Sequence, residues 1–454
     1  MALVTLVLLQ LFVVAAGAHL LTSDELTEKA PEPVASAEPP PPVPVITAGP
    51  VLAARGNGPL PAKGTLAAKL TKALGDPALG DSVGAAVVDV ETGALLFGSG
   101  AETGVTPAST TKVATSVAAL ASLGPDATIS TRVVRGPTSK SITLVGGGDP
   151  TLSARKTPGV YPQPASLAAL AMRTARALKA TGITTVNVTY DDSLYTGPRT
   201  APTWKPGYVP EGSVAPVTAL AIDEGKVAPG SHQRVSDPSR TAYATFVSLL
   251  TKYGVKAAKV TKARVRAPKE AQEIARVDSA PVYALVERAL TLSDNDLTEA
   301  LARQVALKEG RPASFEGAAQ AVLGVLGRLK LAQGVRVFDG CGLSPRNRIA
   351  PAALARLVAA ATSPANPHLH SVISGMPVAG FTGTLGHRFV KDDAVHGLIR
   401  AKTGTLDGVN ALAGTTVTRG GRLVTFAFMA DKVPPGWGKA EAALDRLAAI
   451  VAAG

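Results

Sequence analysis

The sequence predicts an α/β sandwich that is built from both ends of the chain and interrupted by an inserted α/β subdomain. Two β-like runs stand near the N-terminal end, and three more stand near the C-terminal end before a closing amphipathic helix. Between residues 128 and 277, short β-like runs alternate with Gly and Pro turns and with separate helices. We therefore assign residues 62–127 and 278–454 to one domain and residues 128–277 to the inserted subdomain.

The composition fits a globular protein and argues against two classes of function. The chain has 454 residues, 46% of them apolar, and a net charge of +12, but its aromatic content is only 4%. Its basic residues are scattered and form no stripe with stacking aromatics, so nucleic-acid binding is not expected. Six scattered His and the single Cys341 give no metal-ligand spacing and no intrachain disulfide, so we expect no metal and no cofactor.

The N-terminal residues predict export. Residues 1–22 are almost wholly apolar and contain Ala16-Gly17-Ala18, which fits the small-residue pattern of a cleavage site. This segment is either a cleaved signal peptide or a retained membrane anchor, and the sequence leaves both readings open. Residues 23–61 are acidic and then Pro-rich, which predicts a disordered linker.

The elements on either side of the insertion follow from hydrophobic periodicity and turn residues. Residues 63–75 predict a short helix, residues 83–90 and 94–97 a hairpin, and the apolar residues that follow predict a buried helix to about residue 123. After the insertion we expect helices at 282–290, 296–308, 314–326 and 351–361, strands at 397–404, 410–418 and 423–430, and a final helix at 439–452.

Within the insertion, periodicity predicts a smaller α/β unit. We expect strands at 129–134, 141–144, 184–189 and 259–264, and helices at 166–180 and 242–253.

An S-x-x-K pattern at residues 107–112 is the candidate catalytic centre. If a helix starts near Pro107, Ser109 and Lys112 lie on one face, and the amine can take the hydroxyl proton. The helix start also favours an oxyanion near Ser109. The same pattern occurs at Ser153 and Lys156, but turn residues precede that match, and we interpret it as chance.

Two further motifs follow the first along the chain, an S-x-N and then a K-T-G. Ser293-Asp294-Asn295 is the only S-x-N in the chain and stands between helices, and Lys402-Thr403-Gly404-Thr405 contains its only K-[ST]-G and ends a strand. Either motif alone is unremarkable, because the first fits a helix cap and the second fits a strand that runs into a turn. The trio in this order is typical of active-site-serine β-lactamases and penicillin-binding proteins.

The chain thus resembles the D-alanyl-D-alanine carboxypeptidases/endopeptidases of the low-molecular-mass class C penicillin-binding proteins, the peptidase S13 type. The wide separation of Ser109 and Ser293 matches members that carry an insertion between the first two motifs. Residues 146–152 and 339–344 also resemble the family, although Cys341 stands where its pattern has a serine. The resemblance implies a penicillin-binding-protein/β-lactamase-like transpeptidase fold, an antiparallel sheet flanked by helices.

The resemblance also implies a role for each motif residue. Ser109 is expected to be the nucleophile, Lys112 its base, and Ser293 a proton relay to the leaving amine. The substrate-binding residues are expected to be Asn295, Lys402, Thr403, Gly404 and Thr405, with the N–H groups of Ser109 and Thr405 forming the oxyanion hole. Implied partners are peptidoglycan stem peptides, with β-lactams as inhibitors that acylate Ser109.

Two other functions stay open from the sequence. A β-lactamase or esterase of the same fold needs a deacylating base, for which Glu309 and Glu316 are available. A non-catalytic cell-wall-binding protein of this fold is the alternative of another class. The sequence does not distinguish carboxypeptidase from endopeptidase preference.

Overall fold

The computed structural model describes residues 58–390, 395–436 and 438–454. The predicted signal peptide or anchor at 1–22 and the predicted linker up to residue 57 lie outside these described residues. Among the helices that are described, none has the length and apolar character required to cross a membrane.

A five-stranded antiparallel sheet, here called the first sheet, joins the two ends of the chain. Its strands in spatial order are Arg400–Leu406, Val409–Val417, Leu423–Ala430, Val83–Asp89 and Leu95–Ser99. Val83–Asp89 pairs along its whole length with Leu423–Ala430, so residues more than 300 positions apart in sequence form the middle of the sheet. Arg400–Leu406 forms one edge of the sheet, and we call it the edge strand.

Helices cover both faces of the first sheet, so its central strands are buried at nearly every position and successive side chains enter opposite cores. Ala85 and Val87 face a core with the helices Lys63–Leu74 and Lys439–Ala452. Ala86 and Val88 face the opposite, larger core. The helices of that core are Thr111–Leu123, Val282–Thr291, Asn295–Lys308, Phe315–Arg328, Pro351–Thr362 and the short Ser371–Ser374.

The helix Thr111–Leu123 is the central helix of the larger core. Residues 111 to 120 are all buried, polar ones included, which confirms the expectation of a buried helix to residue 123. Among its buried polar side chains, Lys112 finds its partners at the site described below, and the Thr115 hydroxyl donates to the carbonyl oxygen of Gly340.

A second, mixed five-stranded sheet lies within residues 130–278. Its order is Lys256–Ala258, Thr185–Asp191, Ser141–Val145, Ser130–Arg135 and Glu273–Asp278, with two parallel and two antiparallel pairings. The helices Leu167–Ala180 and Pro238–Lys252 pack on it and form a separate core. The two sheets have separate cores, and this supports our proposal that residues 128–277 form a subdomain inserted into the domain 62–127 plus 278–454.

Three predictions inside the second sheet are corrected by the structure. The strand expected at 259–264 is wrong, because the chain leaves the sheet edge after Ala258 and returns only for a single bridge between Arg264 and Tyr190. Glu273–Asp278 is a strand that the sequence pattern missed. The second helix begins at Pro238 rather than at 242, since Asp237 caps it by accepting from the Arg240 N–H and Pro238 suits a first helical position.

The remaining predicted boundaries agree to within a few residues. The largest shifts are at the central helix, whose α-helical part begins at Thr111 after a 3₁₀ turn rather than near Pro107, and at the edge strand, which starts at Arg400 rather than at 397 and continues through the K-T-G motif to Leu406. A two-stranded ribbon of Val335–Arg336 and Arg348–Ile349 was not predicted, and strands this short leave little periodic signal.

Candidate active site

The three motifs meet at an open cleft of about 860 Å³. Ser109 from the first motif, Asn295 from the second and Thr405 after the third all line it. The chain between the second-sheet strands Thr185–Asp191 and Lys256–Ala258 contributes another part of the wall, including Tyr208 and Ser213. The cleft is therefore shared between the first-sheet domain and the insertion.

Ser109 lies in a tight turn that leads directly into the central helix. Residues Ala108–Thr110 form a 3₁₀ turn, and the α-helix follows from Thr111. Ala108 has a φ of 47°, a left-handed conformation that costs an alanine about 1–2 kcal/mol. A half-exposed serine at the start of a buried helix is thus held in a defined, strained position.

Gly404 allows the edge strand to pass directly against this turn. A Cβ atom at Gly404 would lie 2.6 Å from the carbonyl oxygen of Pro107 and 3.2 Å from the backbone nitrogen of Thr110. A carbon atom cannot approach a backbone oxygen that closely, so only glycine fits without moving the strand. The glycine of the K-T-G motif is therefore explained by packing against the Ser109 turn.

Lys112 lies at the floor of the cleft with three oxygen atoms around its amine. Nζ is 3.0 Å from Ser109 Oγ, 2.6 Å from Asn295 Oδ1 and 2.6 Å from the carbonyl oxygen of Cys341. The amide and carbonyl oxygens can only accept hydrogen bonds, whereas the serine hydroxyl can donate or accept. A charged amine would donate to all three oxygens, and a neutral amine, with two N–H donors and one lone pair, fits the same set by donating to Asn295 and Cys341 and accepting from Ser109.

The electrostatic environment also favours a neutral Lys112. The side chain is fully buried, and burial lowers its pKa from the ordinary value, while the carboxyl groups of Asp339, Asp294 and Glu299 oppose that shift. Burial likewise lowers the pKa of Lys402 well below its ordinary value, and the charge of Lys112 lowers it further. Two buried amines that repel each other's charge make it costly for both to be protonated together.

Asn295 is oriented by the insertion. Its Nδ2 donates to the carbonyl oxygen of Ser213 at 2.8 Å, and its Oδ1 accepts from Lys112. Because a carbonyl oxygen can only accept, the amide cannot be turned around without losing both bonds. Asp294 caps the following helix by accepting from the Leu297 N–H, so the motif Ser293-Asp294-Asn295 both caps a helix and contributes to the candidate site.

Ser293, Lys402 and Thr403 are not among the residues that line the cleft, and in the described part of the chain they make no hydrogen bond to Ser109. Ser293 is partly buried and has a φ of 55°. The Nζ of Lys402 donates to the carbonyl oxygen of Thr403, whose hydroxyl lies 2.7 Å from that of Thr384. Thr405 is exposed to the cleft.

Residues 339–344 form the support beneath Lys112, and the sequence did not reveal this role. The carboxylate of Asp339 accepts from the Trp204 indole and from the backbone N–H groups of Gly342 and Ser344. Glu299 accepts from the N–H groups of Gly340 and Cys341, at 2.5 Å and 3.0 Å, and its burial raises its pKa to about 7. These contacts fix the peptide whose carbonyl oxygen accepts from Lys112.

Cys341 acts at this site through its backbone and not through its thiol. The side chain is fully buried, and burial raises the pKa of the thiol well above its ordinary value, which opposes reactivity. Its sulfur and carboxylate oxygens of Glu299 and Asp339 lie within 4.8 Å of one another. Both oxygens of Asp339 and Oε1 of Glu299 already bind backbone or side-chain donors, so we assign this cluster to support of the segment.

Other candidates from the sequence lie away from the centre. Ser153 is buried in a bridge with Ser166, and Lys156 is exposed, so the second S-x-x-K match does not form a helix face. Glu309 follows the far end of the Asn295–Lys308 helix and bonds to Ser122 and Arg328. Glu316 is exposed, and neither glutamate lines the cleft.

Comparisons with known proteins agree with this arrangement. A model of the D-Ala-D-Ala carboxypeptidase 3 (S13) family matches residues 66–233 and 228–451. The carboxypeptidase DacB of Mycolicibacterium smegmatis is 36% identical over 426 residues, which cover 92% of this chain and 90% of that protein. A carboxypeptidase of Mycobacterium tuberculosis is 36% identical over 408 residues, which cover 87% of this chain and 86% of that protein.

A solved structure confirms the predicted fold class. The crystal structure of penicillin-binding protein 4 from Haemophilus influenzae matches with a TM-score of 0.70 and 21% identity, over 84% of this chain and 97% of that one. The α/β architecture with an antiparallel sheet flanked by helices is therefore that of a penicillin-binding protein.

Proposed function

Because this chain belongs to the D-Ala-D-Ala carboxypeptidase 3 (S13) family and is a serine-type D-Ala-D-Ala carboxypeptidase, we propose that it works through an acyl-enzyme on Ser109. The observation that carries the proposal is the set of partners around Lys112, two obligate acceptors and one serine hydroxyl. This set, together with the burial that lowers the pKa of Lys112, supports a neutral amine that receives the Ser109 proton as Oγ attacks the substrate carbonyl.

Acylation then follows from the neighbouring groups. The carbonyl oxygen of the D-Ala-D-Ala bond takes up negative charge, and the N–H groups of Ser109 and Thr405 stabilise it. Ser293 passes a proton to the amine of the departing D-alanine, while Asn295 holds the substrate amide. These roles are supported by the convergence of Ser109, Asn295 and Thr405 on one cleft.

The terminal carboxylate of the substrate lies against the K-T-G residues in this proposal. The hydroxyl groups of Thr403 and Thr405 donate to it, and Lys402 compensates its charge from behind the strand. An arriving carboxylate favours the charged form of Lys402, and a charged Lys402 disfavours charge on Lys112. Substrate binding thereby helps to keep the proposed base neutral at the moment when it is needed.

We further propose that β-lactams acylate Ser109 and stay attached. Hydrolysis of that adduct requires a base placed to activate water, as in a β-lactamase. Glu309 and Glu316, which the sequence offered for this role, bond elsewhere and do not line the cleft. Their positions favour a long-lived adduct over rapid turnover.

The proposed substrates are peptidoglycan stem peptides outside the cytoplasm. Export is supported by the apolar residues 1–22, and the proposed linker 23–61 separates them from the enzyme domain. The substrate cleft is open, so the terminal dipeptide of a free stem peptide and the D-amino-acid bond of a cross-linked pair are both candidate substrates. A non-catalytic wall-binding role is disfavoured by the intact Ser109–Lys112 contact.

The direct test is release of D-alanine from a pentapeptide that ends in D-Ala-D-Ala. We expect the wild-type protein to release it, Ser109→Ala to release none, and benzylpenicillin to block the reaction. A cross-linked muropeptide dimer assayed in parallel measures the endopeptidase preference. Release by Ser109→Ala at the wild-type rate would overturn the assignment of the nucleophile.

A further inference from the structure

Arg234 forms a buried junction behind the S-x-N motif. It belongs to the chain between the second-sheet strands Thr185–Asp191 and Lys256–Ala258, and only 9% of its side chain is exposed. Its guanidinium donates to the carbonyl oxygens of Gly212 and Glu224, at 3.2 Å and 2.8 Å, and pairs with Asp296 Oδ2 at 3.0 Å. One planar side chain therefore joins two backbone carbonyl groups of the insertion to the carboxylate of Asp296.

Two of these three contacts adjoin Asn295. Asp296 is its next neighbour in sequence, and Gly212 precedes Ser213, whose carbonyl oxygen accepts from Asn295 Nδ2 at 2.8 Å. Asp296 Oδ1 also accepts from the Ala215 N–H at 2.7 Å. Arg234 thus holds both the backbone that carries Asn295 and the backbone that accepts from its amide.

The third contact reaches the residue on the other side of Asn295. The backbone carbonyl of Glu224 accepts from Arg234, and its carboxylate accepts from Arg288. The Nε of Arg288 in turn lies 3.6 Å from Asp294 Oδ2. Residues 294, 295 and 296 are therefore each tied to the segment 212–234 of the insertion. A chance packing contact would not be expected to bind three successive residues.

We propose that Arg234 is a positioning residue for Asn295, and that the segment 212–234 serves to hold the S-x-N motif against Lys112. Asn295 Oδ1 accepts from Lys112 only while Nδ2 is engaged by Ser213. If that support is lost, the amide turns freely and presents a donor to the amine about as often as an acceptor. The hydrogen-bond set that keeps Lys112 matched to Ser109 is then lost for part of the time.

Hydrogen–deuterium exchange tests the structural half of this proposal without any reference to activity. Arg234→Ala is expected to speed exchange of the backbone amides in residues 293–297 and 212–215 at least tenfold. The matched control is Arg264→Ala, which removes another arginine of the insertion whose more exposed side chain pairs with Asp192. Unchanged exchange at 293–297 in Arg234→Ala would overturn the proposal.

Acylation kinetics test the functional half, which rests on the proposed acyl-enzyme at Ser109. With a fluorescent penicillin, Arg234→Ala is expected to slow acylation tenfold or more, since a displacement near 1 Å can cost about 100-fold. In an Asn295→Ala background the same change is expected to alter the rate less than twofold, because Arg234 acts through Asn295. Arg264→Ala is expected to retain the wild-type rate.

The outcomes separate this proposal from its premise. If wild-type protein is not acylated, the proposed function fails, and the exchange result alone decides the role of Arg234. A loss of equal size in the wild-type and Asn295→Ala backgrounds would show a general structural effect and overturn the positioning role. If Arg234→Ala does not fold, Arg234→Lys replaces it in the wild-type and Asn295→Ala backgrounds. Lysine keeps the charge but not the several N–H donors of the guanidinium, so the acylation rate is expected to fall at least threefold in the wild-type background.

Discussion

Replacement of Lys112 by arginine removes the proposed base and puts a permanent cation in its buried position beside Ser109. A guanidinium cannot lose its proton in a protein, so it cannot accept the proton of Ser109. The Lys112 side chain is fully buried, and arginine is larger, so Lys112→Met is the second variant, neutral and closer in volume. The pair separates the loss of a base from the introduction of a permanent charge.

The expected magnitude follows from the contact that is lost. A positioned general base contributes about 10²–10⁴-fold, which corresponds to about 2.7–5.4 kcal/mol of transition-state stabilisation. The Ser109 Oγ to Lys112 Nζ distance of 3.0 Å is within the range for direct proton transfer, so we expect both variants to show a loss in this range. In Lys112→Met, the oxygens of Asn295 and Cys341 also lose their donor, so its melting temperature has to be measured beside its rate.

Stopped-flow acylation by a fluorescent penicillin measures this effect as a function of pH. In wild type the active form has a neutral amine, so the rate is expected to rise with pH through the lowered pKa of Lys112 and then level off. Lys112→Arg is expected to show no such rise, and the matched control Lys156→Arg, in the second S-x-x-K match, to behave as wild type. A folded Lys112→Arg that is acylated at a rate within threefold of that of wild type would refute the reasoning.

Three further predictions concern the support of the site. Gly404→Ala is expected to slow acylation at least tenfold, because its Cβ would lie 2.6 Å from the carbonyl oxygen of Pro107. The control is Gly324→Ala, at an exposed helix position with no neighbouring atoms, which is expected to keep the acylation rate and to raise the free energy of unfolding by about 1 kcal/mol. Equal acylation rates in the two variants would contradict the packing argument. Cys341→Ser is expected to acylate within threefold of wild type, and the Cys341 thiol to resist a disulfide reagent until the protein unfolds, since its backbone makes the contact. Glu299→Gln keeps an acceptor for the buried N–H groups of Gly340 and Cys341, whereas Glu299→Ala removes it. Glu299→Ala is therefore expected to lower the free energy of unfolding, measured by urea denaturation, by about 1–3 kcal/mol for each N–H group left without an acceptor. Identical stability of the two variants would contradict this.

The elements near the motifs were predictable because their signals are local. Hydrophobic periodicity and turn residues placed the first-sheet strands and the central helix, and the order of the three motifs indicated the fold class that the comparisons confirm. The roles of the motif residues stay predictions, now supported by the convergence of Ser109, Asn295 and Thr405 on one cleft and by the contacts of Lys112 with Ser109 and Asn295.

The support of the site could not be predicted because its signals are not local. Arg234 reaches Asp296 across 62 positions of sequence, and Glu299 holds a loop 41 positions further along the chain. A single sequence gives no indication that such residues touch. The strand expected at 259–264 failed for a related reason, since a β-like composition does not show whether a segment stays paired with its neighbour: Thr185–Asp191 continues past Asn187, but the chain pairs with it only at Lys256–Ala258 and at the single bridge of Arg264 with Tyr190.

The most direct test of the central claim is the identity and lifetime of the penicillin adduct. The protein, Ser109→Ala and Ser153→Ala are incubated with benzylpenicillin, digested and analysed by mass spectrometry over time. The account predicts a single, slowly decaying adduct on the peptide that contains Ser109, retained in Ser153→Ala and absent from Ser109→Ala. An adduct that persists in Ser109→Ala, or that disappears within seconds in wild type, would contradict it.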